Sequence, residues 1–362
     1  DIMCDKHIIK SSNIIDKETQ AKINEFSKHK YSNKIKSLVS FLNDIFLIDI
    51  TTEKDIVKGY DHDWSNMKGY ADALCRPKNI LECSITLRCC HLLEIPITIS
   101  AGRTNLTGSA TPQGGIIISI INLKNIQSID IKNKEITCSP GVYLEDFRNN
   151  VINQSSNKLF FPVDPTSRKE AMIGGAISCN ASGFIPGEKG AMRYWVNGIS
   201  LILINGEIIN AKRSQYISKN GYFTIRYSDN SENKIRIPRY KRVNIKNASG
   251  PYSSSNGKID FIDLIIGSEG LFGCLAESTL KLQDTPSDYL NLFIKLKNED
   301  QAFQLYSDIR NYISKDMSSL SGLEYFGENC SEFMEHREYL FDDEYSVGVY
   351  IQIPTYDNLD SI

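Results

Sequence analysis

Three stretches of small side chains stand out among the residues able to do chemistry. The first is Ser100-Ala101-Gly102-Arg103-Thr104-Asn105-Leu106-Thr107-Gly108-Ser109, set between apolar segments at 95–99 and 116–121. Side chains this small let backbone N–H groups approach a phosphate closely, and Thr104, Thr107 and Ser109 add hydroxyl donors, so the segment can cradle a pyrophosphate. A plain interstrand turn uses the same residues. The pattern is not G-x-G-x-x-G and no long helix follows directly, which argues against a Rossmann dinucleotide site. The second stretch runs from Pro162-Val163-Asp164-Pro165-Thr166-Ser167 into Ile173-Gly174-Gly175-Ala176-Ile177-Ser178-Cys179-Asn180-Ala181-Ser182-Gly183. It leaves room for a large flat ligand beside exposed backbone, or forms a tight turn and a small-residue helix. The third is Ile266-Gly267-Ser268-Glu269-Gly270-Leu271-Phe272-Gly273.

Titratable groups are sparser. The five histidines are His7, His29, His62, His91 and His336. Asp61-His62-Asp63 superficially suggests a metal site, but adjacent side chains do not converge on one ion, and the segment reads as a solvated turn before Trp64. No C-x-x-C pair occurs among the nine cysteines, so no metal site is expected, and an odd number of cysteines reads as free thiols in a reducing compartment. Two arginines are candidate catalytic cations. Arg193 is open to a role on the ligand side or to a structural salt bridge, and Arg337, on a charged helix face, reaches an anionic substrate if the C-terminal part folds over the site.

The elements that must position these groups follow from patterning. Length at 362 residues predicts two or three domains and a core that needs no staple. A net charge of −3 excludes a strongly basic nucleic-acid binder. No apolar run approaches the ~18 residues of a membrane span, and the first residues carry no secretory signal pattern, so the expected location is cytoplasmic, with peripheral membrane association left open. Helical spacing over 16–48 predicts a lead-in covering 1–60. Beyond it come an amphipathic helix near 82–94, a strand at 135–138, a helix at 142–152 and a hairpin turning at Asn205-Gly206. The polar stretch 213–257 reads as a surface insertion. From 286 onward the expected order is strand 289–295, helix 299–313, a helix from about 324, and strand 347–353. The class is α+β.

The order A-G-R-T-N-L-T-G-S, then Pro140-Gly141-Val142, V-D-P-T-S, I-G-G-A-I-S-C-N-A-S-G and G-S-E-G-L-F-G resembles the FAD-linked oxidase family of the vanillyl-alcohol-oxidase type. Within it the similarity is to the branch of D-lactate dehydrogenases and the glycolate oxidase flavin subunit, helped by Arg76-Pro77 and by Asn244 to Gly250. The resemblance implies a two-subdomain PCMH-type FAD-binding domain at 61–285 followed by a partial ferredoxin-like cap at 286–362. It implies that Ser100, Ala101, Gly102, Arg103, Thr104, Asn105, Gly108 and Ser109 hold the flavin pyrophosphate, with Gly141 nearby. Asp164, Pro165, Thr166 and Ser167 would lie beside the isoalloxazine. Gly174, Gly175, Ser178, Asn180, Ala181 and Gly183 would line the ribityl and ring path, with Glu269 and Gly273 at the adenine or ribityl end. Arg103 stands where the family has a small residue. With no histidine between His91 and His336, the expected FAD is non-covalent.

The implied activity is dehydrogenation of a small D-2-hydroxy acid such as D-lactate, glycolate or D-2-hydroxyglutarate, with electrons passing to a non-NAD acceptor or a partner subunit. The histidines and glutamate that serve this branch as base and metal ligands have no counterpart here, which leaves open a longer enzyme or a partner that completes the site. Two alternatives share the fold: a non-catalytic flavin-binding subunit, and an ether-lipid synthase of the alkyl-dihydroxyacetonephosphate type.

Overall fold

The computed structural model describes residues 6–237, 239–240, 250, 258–313, 317, 319–341 and 344–356. The resembling segment 244–249 lies outside them.

The first sheet orders its strands Ile50–Thr51, Ala73–Cys75, Ile116–Ser119 and Ile97–Ser100, the last three parallel. Ile116, Ile117 and Ile118 are all fully buried, the signature of a strand covered on both faces. The helix Ile80–Leu93 supplies the crossover from Ala73–Cys75 to Ile97–Ser100, which lie on either side of Ile116–Ser119. Its start is fixed by sequence: the Asn79 side chain accepts from the Glu82 N–H at 2.9 Å, and the Glu82 carboxylate reaches back to the Lys78 N–H at 2.8 Å. This helix is buried nearly all round rather than amphipathic, because helices Lys17–Ser27 and Lys34–Phe46 pack over it. The run Cys89-Cys90 thus faces protein on both sides, and the lead-in becomes the outer layer of the first core.

The second sheet is antiparallel, ordered Glu135–Cys138, Cys274–Lys281, Val196–Ile202, Ile208–Lys212. Helices Leu144–Gln154, Ile173–Ser178 and Phe261–Ile265 contribute to its core. The hairpin turns at Gly206, where φ is 83° and a Cβ would stand 2.7 Å from the Ser84 carbonyl oxygen. Its tip therefore rests on the helix of the first sheet, and Arg88 donates to the Asn205 carbonyl at 3.3 Å.

Two strands fall in the segment read as a surface insertion. Tyr222–Arg226 pairs parallel with Ile8–Lys10 and antiparallel with Glu232–Arg236. Phe223 and Ile225 alternate into the second core, so this polar stretch carries a structural face.

Beyond Pro286, strands Asp288–Leu296, Val347–Thr355 and Gly322–Phe326 form an antiparallel sheet under helix Glu299–Ile313. The helix expected from about 324 is instead the strand Gly322–Phe326, whose partner Val347–Thr355 supplies the ladder that a short apolar run needs. The sheet meets the rest of the chain at Phe184, whose ring lies 5.6 Å from that of Tyr350 and where a Cβ on Gly322 would sit.

Candidate functional site

The loop after strand Ile97–Ser100 gives one wall of a cleft through Ala101, Gly102, Arg103, Thr104, Asn105, Ser109 and Ala110. Ser167, Ala171, Met172 and Gly174 to Ala176 form a second wall, and Glu269 to Leu275 contribute a third at Glu269, Gly270, Gly273, Cys274 and Leu275. The cleft has a cavity volume of about 160 Å³.

Small residues make this closeness feasible. A Cβ on Gly102 would lie 2.0 Å from the Glu170 carbonyl oxygen, and one on Gly175 would lie 3.0 Å from the Ala101 Cβ. Gly273, at φ 145°, leaves only 2.1 Å between such a Cβ and the Ile202 oxygen.

The chemistry of the first wall is that of donors. Among the described residues, no backbone N–H from Ala101 to Ser109 donates to a protein acceptor; the next in sequence, Ala110 and Thr111, donate to Asp63 at 3.2 Å and to Gly108 at 3.0 Å. Backbone donors left unsatisfied at a cleft wall fit an acceptor-rich anion such as a diphosphate. Of the lining side chains, Arg103 is the cation. Its backbone is left-handed, φ 57°, and its guanidinium lies 4.3 Å from the centre of the Tyr60 ring.

Other groups hold the loop in place. Asp63, only 3% exposed, accepts from the Asn105 side chain at 2.7 Å and from the Ala110 N–H at 3.2 Å through one oxygen, and from the Ser65 N–H at 3.0 Å through the other. Burial pushes this carboxyl up, but the hydrogen bonds from Ser65, Asn105 and Ala110 outweigh it and hold the group below the ordinary carboxylate value. Asp63 is therefore no solvated turn residue, although His62 beside it is exposed and paired with Asp61 at 2.8 Å. Across the cleft the Thr107 hydroxyl donates to Glu269 at 2.8 Å, and the Glu269 N–H donates to the Ser178 carbonyl at 2.9 Å. Cys179, also a lining residue, has its thiol pushed up to about 11, chiefly by burial.

Of the residues expected at the cofactor, Ala101, Gly102, Arg103, Thr104, Asn105 and Ser109 line the cleft, and so do Ser167, Gly174, Gly175, Ser178, Ala181, Glu269 and Gly273. The rest stand behind it. Ser100 is fully buried at the end of its strand, and Gly108 caps Met67. Gly141 packs where a Cβ would be 2.1 Å from the Ile120 oxygen. Asp164, followed by Pro165 and Thr166, accepts from the Phe184 N–H at 3.1 Å, and Gly183 leaves room for that carboxylate. The Asn180 side chain accepts from the Arg193 N–H at 3.0 Å.

The two candidate cations do not line the cleft. Arg193, 12% exposed, is committed to Asp263: one guanidinium nitrogen donates to its carbonyl at 2.8 Å and carboxylate at 3.1 Å, the other to the Ile266 carbonyl at 3.0 Å. Arg213 shares that carboxylate at 2.7 Å. The salt-bridge alternative is thus the geometry found. Arg337 sits exposed on the short helix Arg337–Leu340 of the C-terminal sheet region.

Sequence reasoning missed the apolar lining, including Ile99, Ile120, Pro140, Met172 and Leu275, and the further small residues Ala110, Ala171, Ala176, Gly270 and Cys274. Pro140, Ala176 and Gly270 stand inside quoted motifs; the aliphatic residues carry no signal beyond apolarity.

Residues 71–212 match the family model described as FAD binding domain. This segment is an FAD-binding domain of the PCMH type. FAD is the cofactor such a domain takes, and the donor loop and small-residue walls fit it. The FAD-binding domain belongs to a chain similar to glycolate oxidase subunit GlcD of Bacillus subtilis, 29% identical over 239 residues, covering 66% of this chain and 42% of that one. It is also similar to D-lactate dehydrogenase of Anaerostipes hadrus, 24% identical, covering 75% of this chain and 49% of that one. D-2-hydroxyglutarate dehydrogenase of Xanthomonas citri is 24% identical, covering 82% and 53%. The chain spans about half the length of these curated relatives. Among solved structures, an alkyldihydroxyacetonephosphate synthase shares the fold with TM-score 0.63 at 15% identity, covering 91% of this chain and 57% of that one. No helix of the described residues is long and apolar enough to cross a membrane.

Proposed function

We propose that this chain is the FAD-binding part of a dehydrogenase for a small D-2-hydroxy acid, with electrons leaving to a non-NAD acceptor or a partner subunit. The observation that carries the reading is the wall of free amide donors at 101–105 and 109 facing Gly174 and Gly175 across the cleft. The names of the relatives point to D-lactate, glycolate and D-2-hydroxyglutarate as the substrate class. Bound FAD supplies a two-electron acceptor at its N5 position.

The chain's own residues bind and orient. The 101–109 amides and Arg103 neutralise the diphosphate, Ser167 and Ser178 border the path of the flavin, and Met172 and Leu275 exclude water from it. Attachment is non-covalent. Oxidation of a hydroxy acid also requires a cation for the carboxylate and a base for the hydroxyl proton. A cytoplasmic setting agrees with the eight free cysteines among the described residues.

A second reading, a flavin-binding subunit that does not itself oxidise substrate, draws on the commitment of Arg193 to Asp263 and the position of Arg337 away from the cleft. The fold shared with the ether-lipid synthase supports no such chemistry for this chain by itself.

Anaerobic addition of D-lactate, glycolate or D-2-hydroxyglutarate to the FAD-loaded chain tests the first reading. Loss of the flavin absorbance band with one of them supports it. A yellow protein that none of the three bleaches favours the subunit reading.

A further inference from the structure

We infer that Asp63 is the positioning residue of the dinucleotide loop: its buried carboxylate pins Asn105 and Ala110 and thereby holds the cleft-lining amides of Ala101 to Asn105 and of Ser109 toward the diphosphate. The inference rests on the FAD reading and deepens it.

Three observations converge. First, the carboxylate is buried, and a buried carboxylate must be fully hydrogen-bonded or it destabilises the fold. Second, its partners are not scattered. One oxygen takes both the Asn105 side chain at 2.7 Å and the Ala110 N–H at 3.2 Å, so a single atom gathers two residues five positions apart in sequence. The two anchors adjoin the cleft-lining residues, Ala101 to Asn105 on one side and Ser109 on the other, whose N–H groups meet no protein acceptor among the described residues. Third, Asp63 is held from its other side. Its second oxygen accepts from the Ser65 N–H at 3.0 Å, which fixes the carboxylate plane before the loop arrives.

The energetic logic is preorganisation. A run of free amides repels itself less when kept apart by solvent, so a loop of small residues converges its donors only if something outside the loop holds it. A hydrogen bond to a buried charged acceptor is stronger than one between neutral groups, and it holds the loop more firmly than an exposed contact does. Asn in place of Asp63 cannot substitute, because its amide turns a donor toward Asn105 or toward Ser65. The Asp63 side chain reaches no cleft surface itself, so its effect on the ligand passes through the loop.

The test compares three ligands on the full chain: FAD, ADP, which carries the diphosphate without the flavin, and riboflavin, which carries the ring without the diphosphate. For Asp63→Asn the Kd of FAD and of ADP rises about tenfold, one lost charged hydrogen bond, while that of riboflavin moves less than twofold. Asn105→Ala, which removes the tether and leaves the buried carboxylate to Ala110 and Ser65, shifts the same two ligands in the same direction, so the result does not depend on how well the first variant folds. Equal weakening of all three ligands, or unchanged FAD and ADP affinities in both variants, overturns the inference while wild-type FAD binding stands. Failure of the wild type to bind FAD removes the underlying reading as well.

Discussion

The Thr107 hydroxyl and the Glu269 carboxylate meet at 2.8 Å across the mouth of the cleft, joining a loop of the first sheet to a loop that feeds the second. Because the contact is exposed, it contributes ~0.5–1.5 kcal/mol at most. Thr107→Val is therefore expected to raise the dissociation rate of FAD by roughly threefold with the thermal midpoint unchanged, as read by stopped-flow fluorescence. An unchanged rate means the latch is incidental to ligand retention.

Arg103 occupies a left-handed backbone position that L side chains adopt at a cost of ~1–2 kcal/mol. Its stacking on Tyr60 returns about 0.5–1 kcal/mol. Arg103→Gly is expected to leave stability within ~1 kcal/mol of wild type, while FAD affinity falls and depends less on salt, because one cation leaves the cleft. Calorimetric titration at two ionic strengths checks it, and an unchanged salt slope removes Arg103 from the anion site.

Two glycines separate packing from binding. Gly102→Ala sets a methyl 2.0 Å from the Glu170 oxygen, a backbone atom that cannot swing away, and is expected to destabilise the chain by ~2–3 kcal/mol or more. Gly175→Ala meets only the Ala101 methyl at 3.0 Å, so its cost is about 1 kcal/mol or less, yet it narrows the cleft and weakens FAD binding. Urea melts of the two variants, with and without FAD, distinguish these outcomes.

Much of this site is legible in sequence because its materials are local. Strand Glu135–Cys138 and helix Glu299–Ile313 fall where their patterns place them, and the loops announce themselves by lacking bulk. What is illegible is long-range. Gly322–Phe326 becomes a strand because Val347–Thr355 lies alongside it, and no window on the former contains the latter. Asp63 reads as solvated because its neighbours Asp61 and His62 are polar; its three donors arrive from Ser65, Asn105 and Ala110, the last two more than forty positions away. Arg193 matches a functional pattern, yet the fold brings Asp263, seventy positions on, into its reach.

That pairing yields a further expectation. Asp263, 16% exposed, is held by both Arg193 and Arg213, so Asp263→Ala leaves two guanidinium groups without their shared anion and is expected to cost ~3–5 kcal/mol. Arg193→Lys lowers the thermal midpoint without changing FAD affinity per folded molecule. Normal stability with lost substrate-driven flavin reduction would instead assign Arg193 to chemistry.

Asp63 also sets an acid limit. Its folded-state carboxyl titrates below the ordinary value, so its stabilisation is present above the unfolded carboxylate pKa of ~3.9 and is lost as pH falls through the lower folded value. Asp63→Asn is expected to flatten the acid limb of the stability curve relative to wild type, measured by urea unfolding from pH 6 down to pH 3. Parallel limbs contradict a shift at this group.

Hydrogen exchange with and without saturating FAD tests the central claim most directly, since free amides are what the cleft offers. The account predicts that FAD slows exchange most in peptides covering 101–109, with smaller protection at 173–183 and 267–273. FAD bound at saturation with the 101–109 amides still exchanging at their unliganded rate would contradict it.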